Sequence, residues 1–248
     1  MQNQTPEAQC CGGGGVIERI LAEQHYRFQN AWLEADWHFS FQRYFDPNRM
    51  HFGALRAYNH DQIAPNRGFP LHPHREMEII SWVRRGTLTH EDSLGEKFAA
   101  EAGDLLVLTA GTGIEHAEMN YGQDPVELIQ VWILPDSEHL APDLQRVHVS
   151  PADYRNQWLV AVAGPNLGGR LTARQDVRLA IAGLEAGAET VWEGRPRHPL
   201  YLQCLGGRGT LNGVALEERD VAQIRHEPVL RLAVQEAGEW ILVEVPEL

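Results

Sequence analysis

Short apolar segments separated by turn residues follow one another along most of this chain. In the first half, segments of strand length bounded by glycine, proline, asparagine or aspartate occur at residues 52–58, 78–83, 87–91, 105–108, 114–119 and 128–134. In the second half, the pattern recurs at residues 159–163, 177–184, 200–205, 221–224, 230–234 and 240–245. Many short strands with a turn about every 8–12 residues predict an all-β sandwich or barrel.

The aromatic-rich region before the first series has a period of two. Trp37, Phe39 and Phe41 alternate with polar residues, which predicts a strand with one apolar face and His38 on the other. Residues 16–21 fit either a short strand or a helical turn, because the run is too short for periodicity to decide.

A polar, proline-containing stretch over residues 136–151 divides the two series of strands, with a candidate helical turn near its end. On either side, an apolar strand is followed by a glycine hairpin and a Thr-Leu pair, within residues 82–88 and 203–211. We therefore predict two tandem β-barrels, over residues 16–135 and 152–248, joined by this linker. Residues 1–15, which end in four glycines, are predicted to form a flexible tail.

Composition narrows the classes of function. The 248 residues carry a net charge of −13, which argues against direct nucleic-acid binding because phosphate contacts need clustered Lys and Arg. No apolar run approaches the ~18 residues of a membrane span, and the polar N-terminus lacks the apolar core of a signal peptide. Cys10, Cys11 and Cys204 give no disulfide framework. We expect a cytoplasmic protein without a membrane anchor.

Two pairs of metal-ligating residue types stand at positions i and i+2. His72 and His74 form the first pair, and His116 and Glu118 form the second. On a β-strand, side chains two residues apart share a face. If the two strands lie side by side in a barrel, three imidazoles and one carboxylate converge. This donor set suits a divalent first-row metal and leaves coordination positions for substrate.

Other candidates near these pairs have weaker spacing. Glu76 and Glu78 share the parity of the first histidine pair, so we expect one of them to line the cavity. His90, on a predicted hairpin strand, is expected to be structural or exposed, and His38, on the face opposite Trp37 and Phe39, is not expected to line the pocket. No serine–histidine–aspartate or cysteine–histidine arrangement has a usable spacing, so the motif histidines are better explained as metal ligands.

These motifs carry a family resemblance. The glycine and histidine spacing of residues 68–86 resembles the first cupin motif, and that of residues 103–120 resembles the second. More specifically, residues 72–75 (HPHR) and 109–118 (TAGTGIEHAE) look like those of the pirin family of bicupins. Upstream, residues 37–41 and 44–47 are similar to the shorter bacterial pirin-like proteins. The resemblance covers about residues 16–248 and is strongest up to residue 135.

The resemblance implies an all-β bicupin, with two tandem double-stranded β-helix (jelly-roll) barrels. Its N-terminal barrel is expected to hold one metal through His72, His74, His116 and Glu118. We expect Fe(II), although the same donors accept Mn, Ni, Co, Cu or Zn. General cupins often take their carboxylate ligand from the first motif, where Glu78 stands, and spacing alone leaves that alternative open. Parity with His116 favours Glu118.

Some pirin-like proteins open the flavonol quercetin with dioxygen. The resemblance therefore implies a metal-dependent oxidoreductase of the quercetin 2,3-dioxygenase type, with a small aromatic substrate and O₂. Glu118 is then the catalytic base that takes the flavonol hydroxyl proton. Eukaryotic relatives are iron proteins linked to transcription control, which leaves two alternatives. One is a non-enzymatic metal or redox sensor that acts through protein partners, and the other is a different metal-dependent cupin enzyme.

Overall fold

The computed structural model describes residues 8–11 and 14–248, and strands dominate it. The strands before residue 150 are β1 (Ala8–Cys11), β2 (Gly15–Ile20), β3 (Tyr26–Gln29), β4 (Leu33–Trp37), β5 (Leu55–Ile63), β6 (Arg67–His74), β7 (Glu78–Arg85), β8 (Thr87–Asp92), β9 (Lys97–Glu101), β10 (Asp104–Thr109), β11 (Ile114–Asn120), β12 (Val126–Ile133) and β13 (Asp143–His148). Those after it are β14 (Leu159–Ala163), β15 (Leu171–Thr172), β16 (Arg178–Leu184), β17 (Glu189–Glu193), β18 (Leu200–Cys204), β19 (Arg208–Leu211), β20 (Val214–Glu217), β21 (Val221–Arg225), β22 (Val229–Glu236) and β23 (Gly238–Glu244).

Helical structure in the described residues is limited to two 3₁₀ turns, Ala22–Gln24 and Pro151–Asp153. The second turn lies where the sequence predicts one. Each predicted apolar segment overlaps a strand, so the all-β prediction is confirmed. Within the part of the chain that the structure describes, no helix has the length and apolarity to cross a membrane.

The first compact unit comprises Tyr26–Ser150 and Val162–Asp176. It contains a seven-stranded sheet in the order β13-β10-β7-β12-β5-β4-β3 and a four-stranded sheet in the order β6-β11-β8-β9. The pairs within both sheets are antiparallel. Side chains from both sheets, including Ile63, Leu88 and Leu128, form one buried apolar cluster. The four-stranded sheet contains both strands that carry the predicted metal ligands.

The second compact unit contains the N-terminal strands up to His25, Pro151–Ala161 and Val177–Leu248. Its larger sheet includes β2, β21, β18, β23 and β16 in that order, and its smaller sheet has the order β17-β22-β19-β20. Ile17, Leu202, Leu216 and Trp240 are among the buried residues of its core. Each unit therefore has the two-sheet architecture predicted for a tandem pair of barrels.

The boundaries of these units differ from those predicted. Strand β2 belongs to the second unit, because Ile17 is buried in that core and β2 pairs with β21. Residues 8–11 of the predicted tail form β1, which pairs with β2. The other tail residues, 1–7 and 12–13, lie outside the described part of the chain. Residues 143–148 of the predicted linker form β13, an edge strand on β10.

The aromatic segment also differs from its prediction. Strand β4 ends at Trp37, because Ser40 turns the chain through hydrogen bonds with the backbone of Asp46. Trp37 nevertheless stacks on Phe28 at 4.7 Å between ring centroids and meets Phe41 edge-on at 5.4 Å. The predicted strand through Phe41 is therefore wrong beyond Trp37, although the Trp37 and Phe41 rings remain in contact.

Candidate metal centre

Strands β6 and β11 bring the two predicted ligand pairs together. They are antiparallel neighbours, and the register places His72 directly opposite His116 and His74 opposite Ile114. The ring centroids are 4.5 Å apart for His72 and His116, and 4.8 Å apart for His74 and His116. One nitrogen of each ring lies within 4.8 Å of a nitrogen of both others. Three imidazoles therefore converge as the spacing predicts.

Gly68 allows the two ligand strands to approach closely. A Cβ atom at this position would lie 2.2 Å from the carbonyl oxygen of Glu118 and 2.7 Å from Cα of Met119. Between His116 and Glu118 the pairing shifts, so that Glu118 faces Phe69, and β6 carries one extra residue there. Only glycine fits this contact without moving the strand that holds two of the histidines.

A backbone contact sets the tautomer of His72. Its Nδ1 donates to the carbonyl oxygen of Pro70 at 2.8 Å. In the neutral ring this leaves the Nε2 lone pair available for a metal. An acceptor for the N–H of the second ring nitrogen is the usual support for a metal-ligating histidine.

His116 and His74 are held as neutral imidazoles. Burial lowers the pKa of His116, and burial with repulsion from His116 and His72 lowers the pKa of His74 to about 4. Among the described residues, none forms a hydrogen bond with either buried ring nitrogen of His116. An unpaired buried polar atom costs roughly 1–3 kcal/mol, so a cation would relieve this penalty. The donor set fits a divalent transition metal.

Glu118 lies on the same face of β11 as His116, as parity predicts, and lines the same cavity as His72 and His74. Its carboxylate accepts hydrogen bonds from Gln130 Nε2 at 3.2 and 3.0 Å, and the Ser81 hydroxyl lies 3.5 Å away. It is not one of the mutually close ligand groups found in the described chain. The structure thus gathers three predicted ligands and places the fourth against Gln130.

His90 lies close to the site, although the sequence analysis does not include it among the candidate ligands. Its ring is buried 5.5 Å from that of His116, and its Nε2 donates to Asp92 at 2.8 Å. The alternating burial of β8, which groups His90 with Leu88 on the inner face, is the signal that could have found it. His38 stacks on Tyr58 at 4.6 Å and does not line the cavity.

The expectation that Glu76 or Glu78 lines the cavity is wrong. Glu78 is fully buried and accepts hydrogen bonds from Thr109 Oγ1 and the Arg174 backbone, which turn it away from the histidines. Glu76 accepts from the backbone of His139. Glu76 itself has a left-handed backbone conformation (φ 47°) and lies between β6 and β7. The alternation of side chains along β6 therefore does not continue into β7.

A cavity of about 400 Å³ opens beside the histidines. This volume is in the range of small-molecule sites, about 300–1,000 Å³. Its apolar wall consists of Leu33, Trp37, Phe41, Phe69, Leu71 and Trp132. Its polar groups include Asn59, Asp61, Glu118 and Gln130. The cavity offers a flat apolar ligand a set of polar groups close to the three imidazoles.

Asp61 is a buried carboxyl group in this wall. Burial, reinforced by repulsion from Glu118, raises the pKa of Asp61 to about 8. No described residue forms a hydrogen bond with its Oδ1. Asp61 is therefore protonated in the folded protein at neutral pH.

Replacing Asp61 by asparagine should stabilise the metal-free protein at neutral pH. Between about pH 4 and pH 8, the unfolded chain releases the Asp61 proton while the folded chain retains it, so this residue lowers stability as pH rises. Asparagine does not titrate, so the variant keeps this stability. Its free energy of unfolding should exceed that of the wild type by an amount that grows by about 1.4 kcal/mol per unit of pH, to a few kcal/mol at pH 7. Urea unfolding at pH 5 and pH 7.5 measures it, with the exposed Asp124→Asn as control. An advantage that does not increase with pH would contradict the assignment.

Comparison with known proteins shows which family this chain resembles. A family model described as Pirin matches residues 20–133, and one described as Quercetinase C-terminal cupin domain matches residues 159–245. A pirin-like protein of Caulobacter vibrioides is 41% identical over 230 residues, which cover 92% of this chain and 99% of the relative. The chain belongs to the pirin family.

A further relative and a solved structure resemble this chain over most of its length. Quercetin 2,3-dioxygenase of Escherichia coli K12 is 32% identical over 234 residues, covering 91% of this chain and 96% of that protein. The crystal structure of the bacterial pirin YhhW in complex with nickel(II), from Escherichia coli, superposes with a TM-score of 0.88 at 30% identity. It covers 94% of this chain and 100% of that one. The predicted bicupin fold is confirmed.

Proposed function

We propose that this pirin-family protein is a metal-dependent dioxygenase that opens a flavonol-like aromatic substrate with O₂. The observation that carries the proposal is the convergence of three imidazoles beside an aromatic-walled cavity of about 400 Å³. A carboxylate, Glu118, lines the same cavity. The name of the Escherichia coli relative, quercetin 2,3-dioxygenase, supports the choice of reaction.

His72, His74 and His116 would hold one divalent metal, and Glu118, which lines the same cavity, would be the fourth donor. Fe(II) is our choice, and Mn, Ni, Co, Cu or Zn suit the same donors. The nickel complex of the bacterial pirin supports a divalent ion at a site of this kind. When bound, such a metal supplies Lewis acidity for an oxygen chelate and an ordered place for substrate and O₂.

The cavity walls orient the substrate. Trp37, Phe41 and Trp132 present aromatic surface to flat rings, and Leu71, 60% exposed, stands at the cavity's edge. A ligand that packs between these side chains displaces water from the histidine end of the cavity. In this proposal a flavonol enters with its 3-hydroxyl and 4-carbonyl facing the imidazoles, where a bound metal would take them as an oxygen chelate.

Glu118 takes the proton of the flavonol 3-hydroxyl. The carboxylate lies in the cavity and has lone pairs beyond those used by Gln130. Loss of this proton makes the enolate electron-rich and prepares it for oxygen. A positioned base of this kind contributes about 10²–10⁴-fold to the rate.

Oxygen-dependent loss of quercetin tests the proposal. Protein loaded with Fe(II) without air and mixed with quercetin should not consume the flavonol until oxygen is admitted. Flavonol and oxygen should then disappear in equal amounts, and metal-free protein is the control. Flavonol loss without oxygen would indicate an isomerase. No turnover with metal bound would favour a sensor that acts through protein partners.

A further inference from the structure

Arg56 lies at a β-bulge in the wall of the cavity. The pairing of β5 with β12 shifts there, because Ala57 faces Trp132 and Leu55 faces Ile133, which leaves Arg56 as one extra residue on β5. Bulges re-aim side chains and are common beside active sites. Leu55 and Ala57 are fully buried and are not part of the cavity lining, whereas Arg56 is. The bulge thus gives the cavity a cationic side chain.

Two backbone carbonyl groups hold the guanidinium of Arg56. Its Nη1 donates to the carbonyl oxygen of Ser40 at 2.9 Å and to that of Met50 at 3.3 Å. Phe41, which follows Ser40, lines the cavity and meets Trp132 edge-on at 5.1 Å between ring centroids. The positive charge is therefore anchored to the segment that supplies part of the aromatic wall.

The guanidinium of Arg56 has donors left over. Arginine has five N–H groups, and the two carbonyl contacts occupy only those of Nη1. No described residue forms an ion pair with Arg56 or accepts a hydrogen bond from its Nε or Nη2. The part-buried Arg84 and Arg178, by contrast, are paired with Glu127 and Glu244. A partly buried positive charge without a counter-ion is stabilised by an anion that enters the cavity.

The shape of the guanidinium selects the kind of anion. Nε and Nη2 lie on one edge of the planar group, and together they donate two parallel hydrogen bonds to the oxygens of a carboxylate or a sulfate. Trp37, Phe41 and Trp132 present ring surface in the same cavity. An aromatic ligand with an oxyanion substituent uses both features, whereas a neutral aromatic ligand uses the ring surface alone.

We propose that Arg56 is a specificity-determining residue that binds an oxyanion substituent, a carboxylate or a sulfate, on a flat aromatic ligand. The ring packs on the aromatic wall, and the charged substituent lies at the bulge. As a statement about the substrate, this inference rests on the proposed function and makes the natural substrate an acidic aromatic compound. As a statement about what the cavity binds, it is tested without metal, oxygen or turnover.

Calorimetric titration of the metal-free protein compares two probes of nearly equal shape. 2-Naphthalenesulfonate carries the anion, and methyl 2-naphthyl sulfone has a methyl group in place of the charged oxygen. The wild type should bind the sulfonate about 10-fold or more tightly than the sulfone, the scale of hydrogen bonds to a charged group. In Arg56→Gln this preference should disappear. 2-Naphthoate against 2-naphthamide repeats the comparison for a carboxylate and shows which oxyanion the cavity prefers.

The ratio of the two affinities separates recognition from structural support. Arg56 also holds the segment from Ser40 to Met50, and loosening that segment would weaken both probes alike and leave the ratio unchanged. Arg67→Gln, at an exposed position of β6 outside the cavity lining, makes the same change of charge and should keep the wild-type ratio. If Arg56→Gln does not fold, Arg56→Lys keeps the charge without the planar fork and should lower the ratio several-fold.

Four results would overturn the inference. They are a wild type that binds neither probe, equal affinity of the wild type for both, a ratio that the Arg56 variants leave unchanged, and a ratio that Arg67→Gln lowers equally. The titration involves no flavonol chemistry. An Arg56-dependent preference in a protein that leaves quercetin unchanged would therefore support this inference and count against the proposed function, so the two can fail separately.

Discussion

Replacing His116 by alanine is expected to weaken divalent metal binding by about two orders of magnitude or more. Loss of a residue that merely supports a ligand costs about 10–100-fold, and His116 is itself a predicted ligand. It stands opposite His72 in the register and within 4.8 Å of both other imidazoles, so its removal leaves two of three converging donors. Calorimetric titration with Ni(II) or Fe(II) measures the loss.

The metal-free variant should remain folded. His116 buries two unpaired ring nitrogens, so alanine removes an unfavourable group as well as packing. Wild-type protein should gain thermal stability on metal addition, whereas the variant should not, because only the folded wild type binds the ion. His139→Ala, a largely exposed histidine, is the matched control. Full metal occupancy in His116→Ala would show that the metal lies elsewhere.

Replacing Glu118 by glutamine should lower turnover of quercetin about 10²–10⁴-fold at full metal occupancy, the usual contribution of a general base. Glutamine keeps the size of the side chain and can still accept from Gln130, but it cannot take the proton of the flavonol hydroxyl. Rates must be compared at metal concentrations that saturate each protein, because the variant also loses the negative charge of a proposed metal ligand.

A fall in turnover that added metal fully restores would reduce Glu118 to a metal ligand. Wild-type turnover in Glu118→Gln at equal metal content would refute the base assignment. Glu115→Gln, on the exposed face of β11 and outside the cavity lining, is a control that makes the same change of charge.

The convergence of His72, His74 and His116 could be predicted in part from sequence, because the argument begins from local rules. Side chains at i and i+2 share a strand face, and His72 and His74 do so on one strand as His116 and Glu118 do on the other. That the two strands are neighbours came from the resemblance. The register, which sets His72 against His116, was available only from the structure.

The contacts that the sequence does not predict depend on the pairing of strands far apart in the chain. Gln130 reaches Glu118 because β12 lies between β5 and β7, and no periodicity in residues 126–133 indicates that partner. Likewise, the run around Ile17 leaves a short strand and a helical turn both open, and nothing in it indicates pairing with β21, some two hundred residues later. Local sequence specifies which face of a strand is buried and leaves open which core buries it.

A single-turnover reaction under ¹⁸O₂ tests the central claim most directly. Opening the flavonol ring on both sides of C3 expels that carbon as carbon monoxide with its own oxygen, so both atoms of O₂ must enter the remaining product. We predict a ring-opened product with two ¹⁸O atoms, one unlabelled carbon monoxide per flavonol, and neither product from His116→Ala. Consumption of quercetin without carbon monoxide, or a product whose new oxygen comes from water, would contradict a dioxygenase at this metal centre.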